Sequence, residues 1–293
     1  MVGSTIDKYA YISARYLPKF FNHKTILAYS KIEIVENNRD IEHNSIRETI
    51  KELDMEDDGL EIHHMSDLPN KSGIGSSSTF LVGLIRSLTA LKGETINAVD
   101  LARRAIYIEQ EKLGECVGSQ DHIWAAYGGF NWIRFHPNGQ IDVCRMPMSV
   151  SDLEDLESTL MLFFTNIQRR STDITSSYIL GEADELRILE LAEKGVEELY
   201  KKNFFELGKL MAESWEIKKK LSSKVSNEQI DGIYDTALKA GACGGKLIGA
   251  GGGGCLLLSV PPEKHKRVRQ ALTGLVEIPF SFCDSPSKVI YNE

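Results

Sequence analysis

Asp67-Leu-Pro-Asn-Lys-Ser-Gly-Ile-Gly-Ser-Ser-Ser-Thr-Phe-Leu-Val-Gly-Leu-Ile-Arg-Ser-Leu-Thr-Ala-Leu91 is the stretch from which the fold can be read. Its first half, through Ser78, is a loop of small residues rich in glycine and serine. Its second half is apolar, with Phe80, Leu84, Leu88 and Leu91 on one helical stripe. A loop that feeds a helix in this way offers backbone N–H groups and the positive end of the helix dipole to an anion. Gly73 and Gly75 allow the backbone to come close to a ligand. Ser76, Ser77 and Ser78 add hydroxyls suited to capping the helix or to touching a phosphate or a metal ion. Taken alone, the same residues also describe a capped helix after a turn, so the choice rests on the rest of the chain.

The chain has 293 residues, enough for one large or two ordinary domains with a substantial core. No apolar run approaches the roughly 20 residues of a membrane-spanning helix. Charged residues interrupt the opening segment, so it does not read as a signal peptide. The five cysteines are odd in number and form no CxxC pair, which suits free thiols in a reducing cytoplasm. The histidines show no zinc-binding pattern, His63 and His64 being adjacent in what reads as a strand. A net charge of −8 argues against nucleic acid as a partner and for a small molecule. An anionic substrate would then need a local basic patch or a divalent cation. No feature of the sequence specifies an oligomeric state.

Around the opening stretch, residues 5–16, 27–35 and 60–65 read as strands and residues 44–53 as a short helix. Thr95 reads as the N-cap of a helix running to residue 113. On that helix Ala98, Ala102, Ala105, Glu109 and Leu113 recur every three or four places. A carboxylate in such a small apolar stripe is costly to bury unless it is paired or metal-bound, so Glu109 is either functional or tucked at the stripe's edge. A polar turn and a short helix from Asp121 to Gly128 follow, then a hairpin around His136-Pro-Asn-Gly139. The acidic segment 149–157 reads as a boundary, giving domains 1–157 and 158–293. Beyond it come a strand at 160–165, a polar segment containing Arg169 and Arg170, and three helices. The charged run 218–224 reads as a solvated helix end and loop. Two strands joined by the glycine tract 249–254, a helix and a final strand complete the chain.

Two common phosphate loops are absent. Residues 249–254 match G-x-G-x-x-G in form, but that fingerprint must open a helix, and Cys255-Leu-Leu-Leu-Ser-Val260 reads as a strand. Gly245-Lys246 lacks the hydroxyl residue and the upstream glycine of a Walker loop, Leu247 and Ala240 standing there.

Three parts remain: a Gly-Ser loop at a helix N-terminus, a helix with Glu109 followed by a turn with Asp121, and a distant glycine loop between strands. Leu68-Pro69 with Ser72-Gly-Ile-Gly-Ser-Ser-Ser78, and Leu247-Ile-Gly-Ala-Gly-Gly-Gly-Gly254, resemble in order the two glycine motifs of the GHMP kinase superfamily. Ser4-Thr-Ile-Asp-Lys-Tyr9, Gly118-Ser-Gln-Asp121, Tyr127-Gly-Gly129 and Phe163-Phe-Thr-Asn-Ile-Gln-Arg169 are similar to its sugar-1-kinase branch, that of the heptose 7-phosphate kinases.

The resemblance implies an α+β fold of two lobes, with the nucleotide in the cleft. One is an N-terminal lobe like the second domain of a ribosomal protein, the other a ferredoxin-like C-terminal lobe. It implies ATP and Mg²⁺, with the anomeric hydroxyl of a heptose 7-phosphate as acceptor; the alternatives are a hexose such as galactose or fucose, mevalonate, or a metabolite-binding relative that has lost phosphoryl transfer. Pro69, Ser72, Gly73, Ile74, Gly75, Ser76, Ser77 and Ser78 would then wrap the triphosphate. Ser77 and Glu109 would ligate Mg²⁺, and Asp121 would orient or deprotonate the attacking hydroxyl. Gly251, Gly252 and Gly253, with Gly254, would approach the substrate and support the loop, and Arg169 or Arg170 would meet a substrate phosphate. Members of the branch open with a strand and a further sugar-binding loop, whereas this sequence starts at Met1-Val-Gly-Ser-Thr-Ile-Asp7, past that point in its relatives. The corresponding expectation is weak or absent turnover of sugar by the chain as it stands.

Overall fold

A computed structural model describes residues 1–70, 72–169, 171–179 and 181–292; Arg170 lies outside them. The chain forms two compact units. One comprises Met1–Asp7, Lys71–Ile74 and Gly129–Cys283, the other Lys8–Asn70, Gly75–Gly128 and Asp284–Glu293. In chain order the elements begin β1 (Val2–Ile6), β2 (Ala10–Tyr16), β3 (Thr25–Ala28), β4 (Ile32–Val35), α1 (Asn44–Glu52) and β5 (Leu60–Ser66). They continue with α2 (Ser76–Leu91), α3 (Ala98–Tyr107), α4 (Gln120–Tyr127), β6 (Phe130–Phe135), β7 (Ile141–Arg145), α5 (Val150–Ser158) and β8 (Leu160–Phe164). The last part holds α6 (Ser171–Thr175), α7 (Glu182–Tyr200), α8 (Phe204–Lys220), α9 (Glu228–Ala240), β9 (Gly244–Leu247) and β10 (Cys255–Ser259). It ends with α10 (His265–Ala271), β11 (Val276–Glu277) and β12 (Phe282–Cys283).

The unit carrying α2 is built on one sheet of strand order β2-β5-β3-β4. β2 and β5 pair antiparallel, Ile12 facing His64, while β3 and β5 are parallel with Leu27 beside Ile62. The stripe read from the sequence decides how α2 lies. Phe80, Leu84 and Leu88 are buried among Leu27, Ile46, Ile50, Leu60 and Ile62, with Leu91 partly buried beside them. Burying each such side chain stabilises the fold by about 1.5–3 kcal/mol, so sliding or rotating α2 is strongly opposed. The helix N-terminus, and with it the Gly-Ser loop, is thereby fixed.

The unit carrying the glycine tract has two antiparallel sheets, β12-β1-β6-β7 and β11-β8-β10-β9. The second is closed by Met161, Phe163, Trp215, Leu247, Leu256 and Leu258, all buried in one cluster. Leu247 faces Leu256 across β9 and β10, so the tract is the connection of a hairpin, as the strand reading of residues 255–260 requires.

Three elements differ from the sequence reading. The single strand expected over residues 5–16 is two strands in different units. Asp7 ends the first, accepting a hydrogen bond from the Ser281 N–H at 3.0 Å, and β2 then begins opposite Ser66. Residues 27–35 are likewise a hairpin, turning where the Tyr29 N–H reaches the Lys31 carbonyl at 2.9 Å. Both stretches are β-prone throughout, so composition alone gives no sign of the break. The acidic segment 149–157 is helix: Ser149 and Asp152 form a capping box that opens α5, and Leu156 is buried.

Candidate active site

The Gly-Ser loop enters α2 through Gly75, whose φ of 72° and ψ of 25° are left-handed and favour glycine. Gly75 rather than a serine is the N-cap; Ser76 is already the first helical residue, and the Thr79 N–H reaches the Gly75 carbonyl at 2.8 Å. A glycine cap supplies no side-chain oxygen, so the first-turn N–H groups face the loop instead of a capping side chain. This is the arrangement that suits an anion.

Behind the first turn stands Glu109. The expected N-cap at Thr95 is displaced to Asn97, whose side chain accepts from the Asp100 N–H at 2.9 Å. α3 then widens after Tyr107 into a π-helical turn, Ile108–Lys112, with the Leu113 N–H on the Ile108 carbonyl at 3.0 Å. Such single-turn insertions change which face a side chain takes and recur at functional sites. Glu109 is 2% exposed. Its Oε1 accepts the Ser77 hydroxyl at 2.8 Å, its Oε2 the Ser78 hydroxyl at 3.5 Å, and His122 Nε2 lies 2.5 Å from Oε2. Burial pushes the Glu109 carboxyl up, but the contacts with His122, Ser77 and Ser78 outweigh it and hold the group below the usual glutamate value. An ionised carboxylate is therefore kept in the interior directly behind Ser77, which is exposed.

Asp121 sits in the first turn of α4, where a negative charge is favoured by the helix dipole. A Cβ placed on Gly75 would stand 3.1 Å from Asp121 Cβ, 3.2 Å from its Cγ and 3.3 Å from its Oδ2. The carboxylate thus packs on the loop at the residue where α2 begins. Gly75, Ser77, Ser78, Glu109 and Asp121 come together within one unit, as does His122.

The other expected residues gather in the unit carrying the tract. The Ser72 and Gly73 backbone is packed directly against the tract: a Cβ on Gly249 would run into the Gly73 carbonyl, and one on Gly254 into the Ser72 carbonyl. Gly254 is held from behind, its N–H on the Ile167 carbonyl at 2.8 Å and its carbonyl taking the Thr165 hydroxyl at 2.7 Å. Gly251, Gly252 and Gly253 lie against Val225, Ile174 and Ile167. Arg169 donates through Nε to the Gly251 carbonyl, and its Nη2 is 3.4 Å from where a Cβ on Gly73 would be. Tyr178 and Lys218 donate to the carbonyls of Ala250 and Gly249. Ile74 is partly buried, while Pro69 is exposed at the start of the loop.

Residues 27–129 match the sequence signature described as the GHMP kinases N terminal domain, and residues 196–277 that of the GHMP kinases C terminal domain. The chain belongs to the GHMP kinase family. Among relatives of this chain is the D-glycero-alpha-D-manno-heptose 7-phosphate kinase of Campylobacter jejuni. It is 35% identical over 217 residues, 72% of this chain and 64% of that protein. The bifunctional fucokinase/GDP-fucose pyrophosphorylase of Arabidopsis thaliana is 29% identical over 76% of this chain and 22% of its own length. The chain therefore spans less than two thirds of either protein. A crystal structure of a D-glycero-D-manno-heptose 1-phosphate kinase from Bacteroides thetaiotaomicron superposes with a TM-score of 0.80 at 25% identity, covering 98% of this chain and 88% of that one.

His122, Tyr178 and Lys218 were missed in the sequence. His122 stands next to Asp121 on a short helix, and nothing in the spacing reveals its contact with Glu109. Lys218 lies in the run read as a solvated helix end, yet it is partly buried with its ammonium on the tract. Its signal is only that the ammonium falls one helix turn from the buried Trp215.

Proposed function

We propose that this GHMP kinase transfers the γ-phosphoryl group of ATP to the anomeric hydroxyl of a heptose 7-phosphate, supplying a sugar 1-phosphate for nucleotide activation. The observation that carries the reading is the meeting of Asp121, Gly75, Ser77 and Glu109 at the N-terminus of α2. Phosphoryl transfer needs positioning and charge neutralisation more than covalent chemistry, and these residues supply both. The loop from Ser72 to Ser78 binds the triphosphate through backbone N–H groups and the dipole of α2. Asp121 accepts a hydrogen bond or the proton from the attacking sugar hydroxyl.

The Ser77 hydroxyl and Glu109 Oε1 form an all-oxygen pair 2.8 Å apart with an ionised carboxylate, a donor set that fits Mg²⁺. Mg²⁺ bound there would neutralise charge on the β- and γ-phosphates. Glu109 keeps its charge through the contacts at its back, and the burial of Ser78 and Glu109 keeps water from that side. Arg169, in reach of Gly73, is the proposed partner of the acceptor's phosphate. The likeness to the Campylobacter jejuni kinase favours the heptose 7-phosphate; the likeness to the Arabidopsis thaliana protein favours fucose as the second reading.

The test is Mg·ATP binding by calorimetry together with ATP consumption over heptose 7-phosphate, L-fucose, D-galactose and mevalonate. Binding is expected, with weak turnover on heptose 7-phosphate. Turnover on a hexose alone would move the acceptor to the second reading, and neither binding nor turnover would remove the kinase reading. Asp121→Asn is expected to lower kcat by about 10²–10⁴-fold with nucleotide affinity nearly intact. Undiminished kcat would take Asp121 out of that role.

A further inference from the structure

His122 is fully buried, 0% exposed, on α4 immediately after Asp121. The expected catalytic chemistry makes no use of it. Its Nε2 lies 2.5 Å from Glu109 Oε2, and neither ring nitrogen has any other polar partner among the described residues. The approach of Nε2 to a carboxylate decides between the tautomers. An N–H orphaned in the interior costs more than an orphaned lone pair, and a lone pair facing a carboxylate is repelled, so the proton belongs on Nε2, where it faces Glu109. The imidazole then has a single polar engagement, and it is with the carboxylate.

Glu109 in turn is held from two sides. Oε2 faces His122 at 2.5 Å and takes the Ser78 hydroxyl at 3.5 Å, and Oε1 takes Ser77 at 2.8 Å, on the side of the exposed first turn of α2. The terminal torsion of a glutamate is broad, so a carboxylate without a partner is free to rotate. We propose that His122 is a positioning residue that tethers Glu109 by Oε2, so that Oε1, beside the Ser77 hydroxyl, is the oxygen presented to a divalent cation. This rests on the kinase reading above. Hydrogen bonds to metal-binding carboxylates typically change metal affinity by about 10–100-fold when removed, because the ligand must be re-ordered at each binding event. His122 and Asp121 are neighbours on one helix turn, so the tether also ties the cation-binding oxygen to the helix that presents Asp121.

The experiment titrates Mn²⁺, as a spectroscopic stand-in for Mg²⁺, into the protein saturated with a non-hydrolysable ATP analogue and reads bound metal by electron paramagnetic resonance. His122→Leu keeps the bulk but has no donor; His122→Gln places an amide N–H near the Nε2 position. The leucine variant is expected to bind Mn²⁺ about 10–100-fold more weakly. The glutamine variant is expected to recover most of that loss. In a Glu109→Gln background, His122→Leu should have no further effect on Mn²⁺. Should His122→Leu not fold, His122→Asn replaces it, since its shorter amide does not reach Oε2. Unchanged Mn²⁺ affinity in the donor-less variant, or a glutamine variant as defective as leucine, would overturn the assignment and leave the kinase reading standing. Failure of the wild-type protein to take up Mn²⁺ with the analogue would instead bring down the kinase reading, and this assignment with it.

Discussion

Gly75→Ala tests the geometry at its tightest point. At φ 72° and ψ 25° an alanine adopts a left-handed backbone, at a cost of about 1–2 kcal/mol. Its Cβ would also stand 3.1–3.3 Å from three atoms of Asp121, closer than ordinary van der Waals contact, so that side chain must retreat by a few tenths of an ångström. A 1 Å misplacement of a reacting group can cost roughly 10²-fold in rate, so this smaller displacement should lower kcat by about 5–10-fold. Gly93→Ala provides the matched control. Its φ is 76°, so the backbone strain is alike, but nothing lies within 4 Å of the added Cβ. Both variants should lose about 1–2 kcal/mol in urea denaturation, and only Gly75→Ala should lose kcat on the best acceptor. Equal kcat values for the two variants would refute the contact between Asp121 and the loop.

Gly254→Ala should be the more damaging change, because its φ is 97° and its Cβ would be driven into the Ser72 carbonyl, with backbone on both sides. A loss of about 2–5 kcal/mol is expected on denaturation, and a loss no larger than that of Gly93→Ala would argue against the packing of tract on loop. Lys218→Met removes the ammonium from the Gly249 carbonyl and should cost about 1–2 kcal/mol and weaken ATP-analogue binding. Unchanged stability and affinity would return Lys218 to the solvated role its sequence suggested. Glu109 is held below the ordinary glutamate value in the fold, so its contribution to stability is complete above the unfolded-state value and disappears as pH falls through the lower folded-state value. Denaturation between pH 7 and pH 3 should therefore show a shallower acid loss for Glu109→Gln than for the wild type. Parallel profiles would contradict an ionised Glu109.

Much of this was legible in the chain itself because it depends on local pattern. The stripe Phe80, Leu84, Leu88 and Leu91 defined α2, and the glycines before it marked the left-handed turn that opens it. The alanine line around Glu109 singled out a carboxylate that needed a partner, and the strand after the glycine tract ruled out a dinucleotide fingerprint. Periodicity also carried its limits. A turn of π-helix leaves the stripe intact on paper, so the widening at Ile108–Lys112 was invisible. Breaks at Asp7 and Tyr29 were equally hidden, because strand-prone residues continue on both sides of each.

The sequence by itself determined that a Gly-Ser loop opens an amphipathic helix, that Glu109 is out of place on its face, and which motifs the chain shares with its family. Each of these follows from residue type at short spacing. Only the tertiary structure decided that Asp121 lies against Gly75, that His122 is the group behind Glu109, and that Lys218, Tyr178 and Arg169 are donors to the glycine tract. Those pairings join residues far apart in the chain, and they are set by how α2, α3 and α4 pack and by the hairpin of β9 and β10. The loop and the helix it opens were therefore written locally, while the approach of Asp121 to Gly75, the contact of His122 with Glu109 and the support beneath the loop were set by packing.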